Sequence, residues 1–205
     1  FCPFCEDIMH SYADFFQKRQ LIYFYFCASY YIMNHRLYED GAEYRFLSNY
    51  RNHIDYVVSD HSLNLKQLEY RIPIYQGRTQ TLYTYSQSVA PALRHQEGQR
   101  CLIWASRLDS QKRPDFLHKL AVELMAENIE TKIYIYGSAV LDRFETSYFD
   151  DCPNVIYKGS FSGLESIPFT NKSAFLYTSL FDGLPNVLLE AAQMNIPIIT
   201  VDVGG

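Results

Sequence analysis

The second half of the chain alternates short apolar runs with longer amphipathic segments, and this pattern constrains the fold more than any other feature of the sequence. Apolar runs that predict strands lie at residues 101–105, 132–136, 154–157, 174–178 and 197–201. Between them, residues 114–124 and 185–194 have helical spacing, 140–148 can form a helix, and 164–169 suit a short helix or turn. Strands that alternate with helices belong to βαβ units and pair in parallel. We therefore predict an α/β fold in which residues 96–205 form a Rossmann-like, doubly wound parallel sheet.

The first half has a weaker pattern of the same kind. Strands are predicted at residues 20–28, 54–58 and 81–85, and helices at 42–50 and 63–71. The polar segment 86–100 interrupts the periodicity, which is typical of a linker. We predict that residues 1–95 are a partial Rossmann-like domain with its linker, and that 96–205 are a second domain truncated at its C-terminus. We expect the chain to be a piece of a longer protein, because it does not begin with Met and stops directly after an apolar strand.

Composition excludes some classes of protein. The net charge is −5, whereas nucleic-acid-binding proteins usually have a basic surplus, so we expect no nucleic-acid partner. The apolar run 21–33 is too short to span a bilayer, and we interpret it as a buried strand. Cys2 and Cys5 form a C-x-x-C pair, which suits a zinc or redox site. We favour the interpretation that they are incidental thiols in a reducing compartment.

Ligands of a doubly wound sheet bind at the carboxyl ends of its strands, so the loops that follow the strands are the candidate sites. The loop after the first strand of the second half contains Arg107 and Lys112. Two cations at this spacing suit a diphosphate, because Arg binds phosphate bidentately and Lys adds a point charge. The alternative is a solvated basic loop.

A second candidate loop follows the fourth strand and leads into a helix. Gly183 permits close backbone approach of a ligand, and Pro185 suits the first helical turn. Free amides at a helix start bind anions. The carboxylates of Asp182 and Glu190 can accept hydrogen bonds from sugar or ribose hydroxyls. The alternative is that Asp182 only caps the helix and Glu190 is a surface residue. A third, weaker candidate is the segment after the third strand, at Lys158 and Gly159, whose backbone can border a nucleobase.

Together and in this order, these loops resemble the donor domain of the group 1 glycosyltransferases, family 4, which have the GT-B architecture. The motifs that carry the resemblance are Ser106-Arg107-Leu108 with Lys112, Ile133 to Gly137, Asn154-Val155 to Gly159, Ser179 to Pro185 with Glu190-Ala191, and Asn195-Ile196-Pro197 to Gly204-Gly205. The chain departs from the family at three positions, where Asp182 replaces a glutamate, and Ser106 and Asn195 replace glycines. Less firmly, residues 54–60 resemble a segment near the end of the acceptor domain. We expect ordinary surface roles for the neighbouring His53 and His61.

The resemblance implies a role for each of these residues. Arg107 and Lys112 hold the donor diphosphate and stabilise the leaving group, and Glu190 binds the ribose hydroxyls. The resemblance also implies that a further group of residues contacts the sugar, the phosphate or the base. These residues are Lys158, Gly159, Ser179, Asp182, Gly183, Leu184, Pro185 and Asn186.

The resemblance also implies an activity, namely retaining transfer of a sugar from a nucleotide-diphosphate donor to a glycan, lipid-linked or protein acceptor, as in polysaccharide biosynthesis. Neither a cofactor nor a metal is expected, and the sequence has no D-x-D motif. The implied location is cytoplasmic, including peripheral contact with the inner face of the membrane. We expect the isolated chain to be inactive, because much of the acceptor domain is missing. Two alternatives remain, a GT-B nucleotide-sugar 2-epimerase and a non-catalytic interaction module.

Overall fold

The structure is a computed structural model that describes residues 5–16, 19–24, 42–83, 98–139, 145–180 and 182–202. Its helices and strands are α1 (Cys5–Ser11), α2 (Ala13–Phe16), β1 (Ile22–Phe24), α3 (Ala42–Asn49), β2 (Tyr56–Ser59), α4 (Ser62–Arg71), β3 (Thr79–Thr81), β4 (Cys101–Ala105), α5 (Pro114–Ala126), β5 (Lys132–Tyr136), β6 (Val155–Gly159), β7 (Ser173–Tyr177), α6 (Asn186–Gln193) and β8 (Ile198–Thr200). None of the helices in these residues is both long enough and apolar enough to cross a membrane.

The chain divides into two units. The first contains the described residues up to 83 together with 182–184, and the second contains 98–180 and 185–202. The predicted domain boundary at residues 95 and 96 falls in a segment outside the described residues, so it stays a prediction.

The first unit contains a three-stranded parallel sheet in the order β1-β2-β3. Its core includes the fully buried Leu47, Val57 and Leu68, and the buried hydroxyl of Tyr75 donates a hydrogen bond to the carbonyl of Leu47 at 2.8 Å. Burial raises the pKa of Tyr75 far above its usual value, so this hydroxyl stays protonated and keeps its donor. The hydrogen bond therefore ties the turn after α4 to the end of α3.

The second unit contains a five-stranded parallel sheet in the order β6-β5-β4-β7-β8. The chain runs outward from β4 through β5 to β6, and then crosses back to place β7 on the other side of β4. This order is that of a doubly wound Rossmann-like half-domain. The predicted fold class is therefore confirmed for the second half of the chain.

The core of the second unit forms where α5 packs on the sheet. Pro114 is the first residue of α5, where its missing N–H leaves no hydrogen bond unmade. The side chains of Leu117 and Ala121, one helical turn apart, are fully buried with Ile133 and Ile135 of β5. Each buried Leu or Ile contributes about 1.5–3 kcal/mol to folding relative to an exposed one.

Several local predictions differ from the structure. The third strand is Thr79–Thr81 rather than 81–85, and β1 covers three residues of the predicted 20–28, of which 25–28 lie outside the described residues. Of the predicted helix 140–148, residues 140–144 also lie outside, and Thr146–Phe149 form a 3-10 turn. The helix predicted from Pro185 begins at Asn186, and Pro185 is its N-cap.

The surface role expected for His61 is wrong. His61 is 2% exposed and is the N-cap residue of α4. Burial lowers its pKa, although the neighbouring Asp60 carboxylate acts in the opposite direction. His61 lies between the end of β2 and the start of α4, where the chain turns from strand to helix, and this position is buried.

Candidate functional site

The carboxyl ends of β4 and β7 lie side by side at the position where the strand order of the second sheet reverses. At such a point in doubly wound folds, the connections after the two neighbouring strands run toward opposite faces of the sheet, and their divergence opens a crevice that binds ligands. The loops that follow β4 and β7 are the ones in which sequence analysis placed Arg107, Lys112 and Ser179. The topology thus brings the first two candidate loops to one edge of the sheet.

Asp109 organises the loop after β4. Its buried carboxylate accepts a hydrogen bond from the amide of Lys112 at 3.1 Å and pairs with Nε of Arg107 at 3.2 Å. Arg107 also donates a hydrogen bond to Oε1 of Gln111 at 3.0 Å. The Arg107 side chain is nevertheless 43% exposed, so its guanidinium is oriented by the protein while remaining accessible to an anion.

Four hydrogen bonds join β4 and the loop after it to the loop after β7. The indole N–H of Trp104 donates to the hydroxyl of Thr178 at 2.9 Å, and that hydroxyl donates to the carbonyl of Lys112 at 2.6 Å. The hydroxyl of Ser179 and the amide of Leu180 both donate to the carbonyl of Gln111, at 3.3 and 2.8 Å. Lys112 and Ser179 are therefore held at adjacent positions.

Lys112 and the neighbouring Arg113 have different surroundings. The ammonium of Lys112 lies 5.6 Å from the ring centroid of Tyr177, within the range of a cation–π contact. Arg113 has a left-handed backbone, with φ +62°, and its guanidinium makes a two-pronged ion pair with Asp115 that lowers the pKa of that carboxyl. Arg113 is thus engaged at the start of α5, and Arg107 and Lys112 remain the candidate anion ligands.

Gly137 allows the loop after β5 to approach the loop after β4. Its φ is +144°, and a Cβ atom at this position would overlap the carbonyl oxygen of Ser106. The amide of Ser106 donates to the carbonyl of Tyr136 at 3.0 Å, and the hydroxyl of Tyr157 donates to the carbonyl of Gly137 at 2.7 Å. The backbone beside Arg107 is therefore fixed by a contact that only glycine permits.

The third predicted segment lies at the end of β6. The ammonium of Lys158 is 5.2 Å from the ring centroid of Tyr134, and Gly159 has a φ of +80° with open space where a Cβ would project. The carbonyl of Gly159 accepts a hydrogen bond from the amide of Gly137 at 2.8 Å. Contact of this segment with a nucleobase stays a prediction.

Glu190 is a partly buried residue of α6, not a fully exposed surface residue. Burial raises the pKa of its carboxyl, and the charge of Glu165 raises it further. Glu165 lies in the 3-10 turn Leu164–Ser166, which packs against α6.

The residues 182–184 lie in the first unit. The Asp182 carboxylate accepts a hydrogen bond from the amide of Gly183 at 3.1 Å, and the amide of Leu184 donates to Oδ2 of Asp60 at 3.0 Å. A Cβ on Gly183 would come within 2.5 Å of the same Asp60 oxygen. The group that lies close to Gly183 is therefore the Asp60 carboxylate, and the contacts predicted for Asp182, Gly183 and Leu184 with a donor stay predictions.

The structure thus brings together part of the predicted set. Arg107, Lys112 and Ser179 lie on two loops that are bonded to each other, with Pro185 as the N-cap and Asn186 as the first residue of α6 after β7. Among the described residues, Arg107 contacts Asp109 and Gln111 rather than Glu190. The convergence predicted for the cationic and acidic residues stays a prediction.

Sequence analysis missed two positioning residues. The first is Asp109, although an Asp three residues before Lys112 is a recognisable signal for a side chain that caps a turn. Thr178 was assigned only to a strand. Nothing local in the sequence connects it with Trp104 and Lys112, since the partners are 74 and 66 residues apart in the chain.

A parallel α/β half-domain with the exposed Arg107 and the partly buried Lys112 at its switch point has the arrangement at which nucleotide-dependent enzymes bind anionic ligands. The model of the family "Glycosyl transferases group 1" matches residues 99–205, more than half of the chain. The chain therefore belongs to the group 1 glycosyltransferases. A comparison with curated protein sequences finds no match.

Solved structures of GT-B glycosyltransferases have the same fold. A mutant of TarM from S. aureus, in complex with fondaparinux, alpha-GlcNAc-glycerol and UDP, is 17% identical, with a TM-score of 0.69 over 90% of this chain and 37% of that one. The pneumococcal O-GlcNAc transferase GtfA, in complex with UDP and GlcNAc, is 20% identical, with a TM-score of 0.68 over 98% and 40%. The lipopolysaccharide outer core galactosyltransferase WaaB is 18% identical, with a TM-score of 0.63 over 98% and 62%.

The chain spans about two fifths of the length of TarM and GtfA. At these levels of identity, the likeness establishes the GT-B type of fold. The family and these structures do not favour the epimerase or interaction-module alternatives.

Proposed function

We propose that the second unit binds the nucleoside diphosphate part of a nucleotide-sugar donor, and that the whole protein transfers the sugar with retention at the anomeric carbon. The observation that supports this proposal most strongly is the hydrogen-bonded junction of the loops after β4 and β7, which holds Arg107 and Lys112 at the switch point of the sheet. The acceptor we propose is a glycan, lipid-linked or protein substrate.

The difficult step in such a transfer is departure of the nucleoside diphosphate, on which negative charge develops. A cation about 4 Å from a unit negative charge contributes about 4 kcal/mol at the effective dielectric constant of a protein surface. Arg107 and Lys112 supply two such charges, and Asp109 pairs with the guanidinium of Arg107 and binds the backbone amide of Lys112 before the ligand arrives. Preorganised charge of this kind stabilises a leaving group without reorganisation during the reaction.

The remaining residues of the second unit fit the other parts of a nucleotide. The carboxylate of Glu190 can accept hydrogen bonds from the ribose hydroxyls, and Lys158 and Gly159 can border the base. We expect Asn186, the first residue of α6, and Ser179, on the loop bonded to that of Lys112, to contact the phosphates. Since UDP is bound in the structures of TarM and GtfA, UDP is the first nucleotide to test.

Calorimetric titration of the 205-residue chain with UDP, GDP and ADP tests the proposal. We expect one of them to bind, and Arg107→Ala to weaken that binding about 10- to 100-fold, as loss of a hydrogen bond between charged groups would. Arg100→Ala is the matched control, because Arg100 is an exposed cation at the opposite, amino end of β4. Equal affinity of all three proteins, or no heat with any nucleotide, would contradict the proposal.

A longer protein that contains this chain would test the chemistry. We expect the anomeric configuration of the product, read from its proton coupling constant by NMR, to match that of the donor. An inverted product would remove the retaining mechanism while leaving the donor site intact.

A further inference from the structure

Three side chains of different chemistry meet on the second unit, at the side of α5. Nε2 of His118 lies 2.9 and 3.1 Å from the two carboxylate oxygens of Asp151, and the thiol of Cys152 donates to Oδ1 of Asp151 at 3.5 Å. One donor atom from each residue lies within 4.8 Å of the other two. His118 comes from the second turn of α5, while Asp151 lies 33 residues later, with Cys152 next to it, just before β6.

The donor set and its spacing suit a transition-metal ion. Nitrogen, oxygen and sulfur ligands are the set used by Zn²⁺, at about 2.0–2.3 Å, whereas Mg²⁺ and Ca²⁺ take oxygen ligands. The donor atoms of a tetrahedral Zn²⁺ site lie about 3.3–3.6 Å from one another. The three donor atoms here lie within 4.8 Å of one another, so binding needs the side chains to close by up to about 1 Å.

We propose that His118, Asp151 and Cys152 form a three-ligand site for Zn²⁺ or a similar divalent transition-metal ion, with water as the fourth ligand. On binding, the Cys152 thiol releases its proton to the buffer, the neutral His118 ring coordinates through Nε2 with its proton on Nδ1, and Asp151 coordinates through one oxygen. The side of Asp151 is open to solvent, at 66% exposed, and gives the ion its entry path.

The surroundings suit a site of this kind. The rings of Tyr148 and Phe149 lie 5.0 and 6.4 Å from the His118 ring, and Cys152 is itself buried in the core that contains α5. An apolar shell on one side of a metal keeps solvent from the thiolate.

A bound ion at this site would tie α5 to the segment before β6. It would therefore fix the helix that begins two residues after Lys112. The site is separate from the loops after β4 and β7, and it does not depend on the proposed sugar transfer.

Titration of the metal-free chain with Co²⁺ tests the proposal, because a thiolate ligand gives Co²⁺ a near-ultraviolet charge-transfer band. We expect this band in the wild-type chain and its loss when Zn²⁺ is added. Asp151→Asn, at an exposed position that should not affect folding, should weaken Co²⁺ binding at least tenfold. Cys152→Ser and His118→Ala should abolish the band.

Two controls separate this site from other thiols. Cys101→Ser removes the other described buried cysteine, which bonds Ser173, and the double variant Cys2→Ser, Cys5→Ser removes the C-x-x-C pair. Both should retain the band at wild-type affinity. Absence of the band in the wild-type chain would show that His118 and Asp151 form an ordinary ion pair. A band that survives Cys152→Ser, or disappears with Cys2 and Cys5, would place the metal elsewhere and overturn the proposal.

Discussion

Replacement of Gly137 by alanine should destabilise the second unit more than the same change at any open glycine. An L-residue at a φ of +144° is strained by about 1–3 kcal/mol. The new methyl group also overlaps the carbonyl oxygen of Ser106, and relief of such overpacking costs about 1–3 kcal/mol more. We therefore expect Gly137→Ala to lower the free energy of unfolding by about 4 kcal/mol, a large part of the about 5–15 kcal/mol typical of a protein.

Gly159→Ala is the matched control. Gly159 lies in the same unit and also has a positive φ, +80°, but a Cβ there meets nothing within 4 Å. Its replacement should cost only the backbone strain, about 1–2 kcal/mol. The difference between the two variants measures the contact with Ser106 together with the extra strain of the φ of +144°.

Urea unfolding followed by the fluorescence of Trp104 measures this difference, because the chain's single tryptophan is buried in β4 of the same unit. With a dependence on urea of about 1–3 kcal/mol/M, an extra 2 kcal/mol lowers the midpoint of Gly137→Ala by about 1 M relative to Gly159→Ala. Equal midpoints for the two variants would refute the close approach of the backbones beside Arg107.

Three further predictions concern the same unit. Thr178→Val should lower the free energy of unfolding by about 2–4 kcal/mol in the Trp104 fluorescence assay. The substitution leaves the buried indole N–H of Trp104 and the carbonyl of Lys112 without the hydroxyl that they share. A loss below about 1 kcal/mol would contradict this role of the hydroxyl. Asp109→Asn keeps the acceptor for the Lys112 amide but loses the charge beside Arg107, so UDP should bind about 3- to 10-fold more weakly by calorimetry; unchanged affinity would mean that Asp109 does not position the guanidinium. The raised pKa of Glu190 means that its contribution to stability is present at low pH and is lost as pH rises through that pKa. Glu165→Gln should therefore raise thermal stability near pH 7, by less than about 1 kcal/mol, and have no effect below about pH 4; a stabilisation that persists at low pH would exclude charge repulsion as its cause.

Much of the second unit could be predicted from the sequence because its signals are local. The bounds of β4 and β5 agree with the prediction, and α5 begins at Pro114 as the proline indicated. Prediction was poorer where tertiary packing outweighed local pattern. His61 has the sequence surroundings of a surface residue but is buried at the end of β2, and β3 is set by pairing with β2 rather than by its own apolar run.

The candidate site was predictable to the extent that it consists of strand ends. Arg107 and Lys112 follow an apolar run, and in a doubly wound sheet this position lies near the ligand. The bonds that hold them do not follow from the sequence, because Thr178 is distant along the chain and its hydroxyl has no pattern of its own.

Local sequence patterns were sufficient to predict the alternation of strands and helices, the parallel α/β class and the two cations of the loop after β4, because hydrophobic period and turn chemistry act between near neighbours in the chain. The folded structure was needed to show that β7 lies beside β4, that Gly137 lies against Ser106, and that His118 meets Asp151 and Cys152. These contacts join residues about 30 or more positions apart. They arise from the way whole elements pack, and no short stretch of sequence encodes that packing.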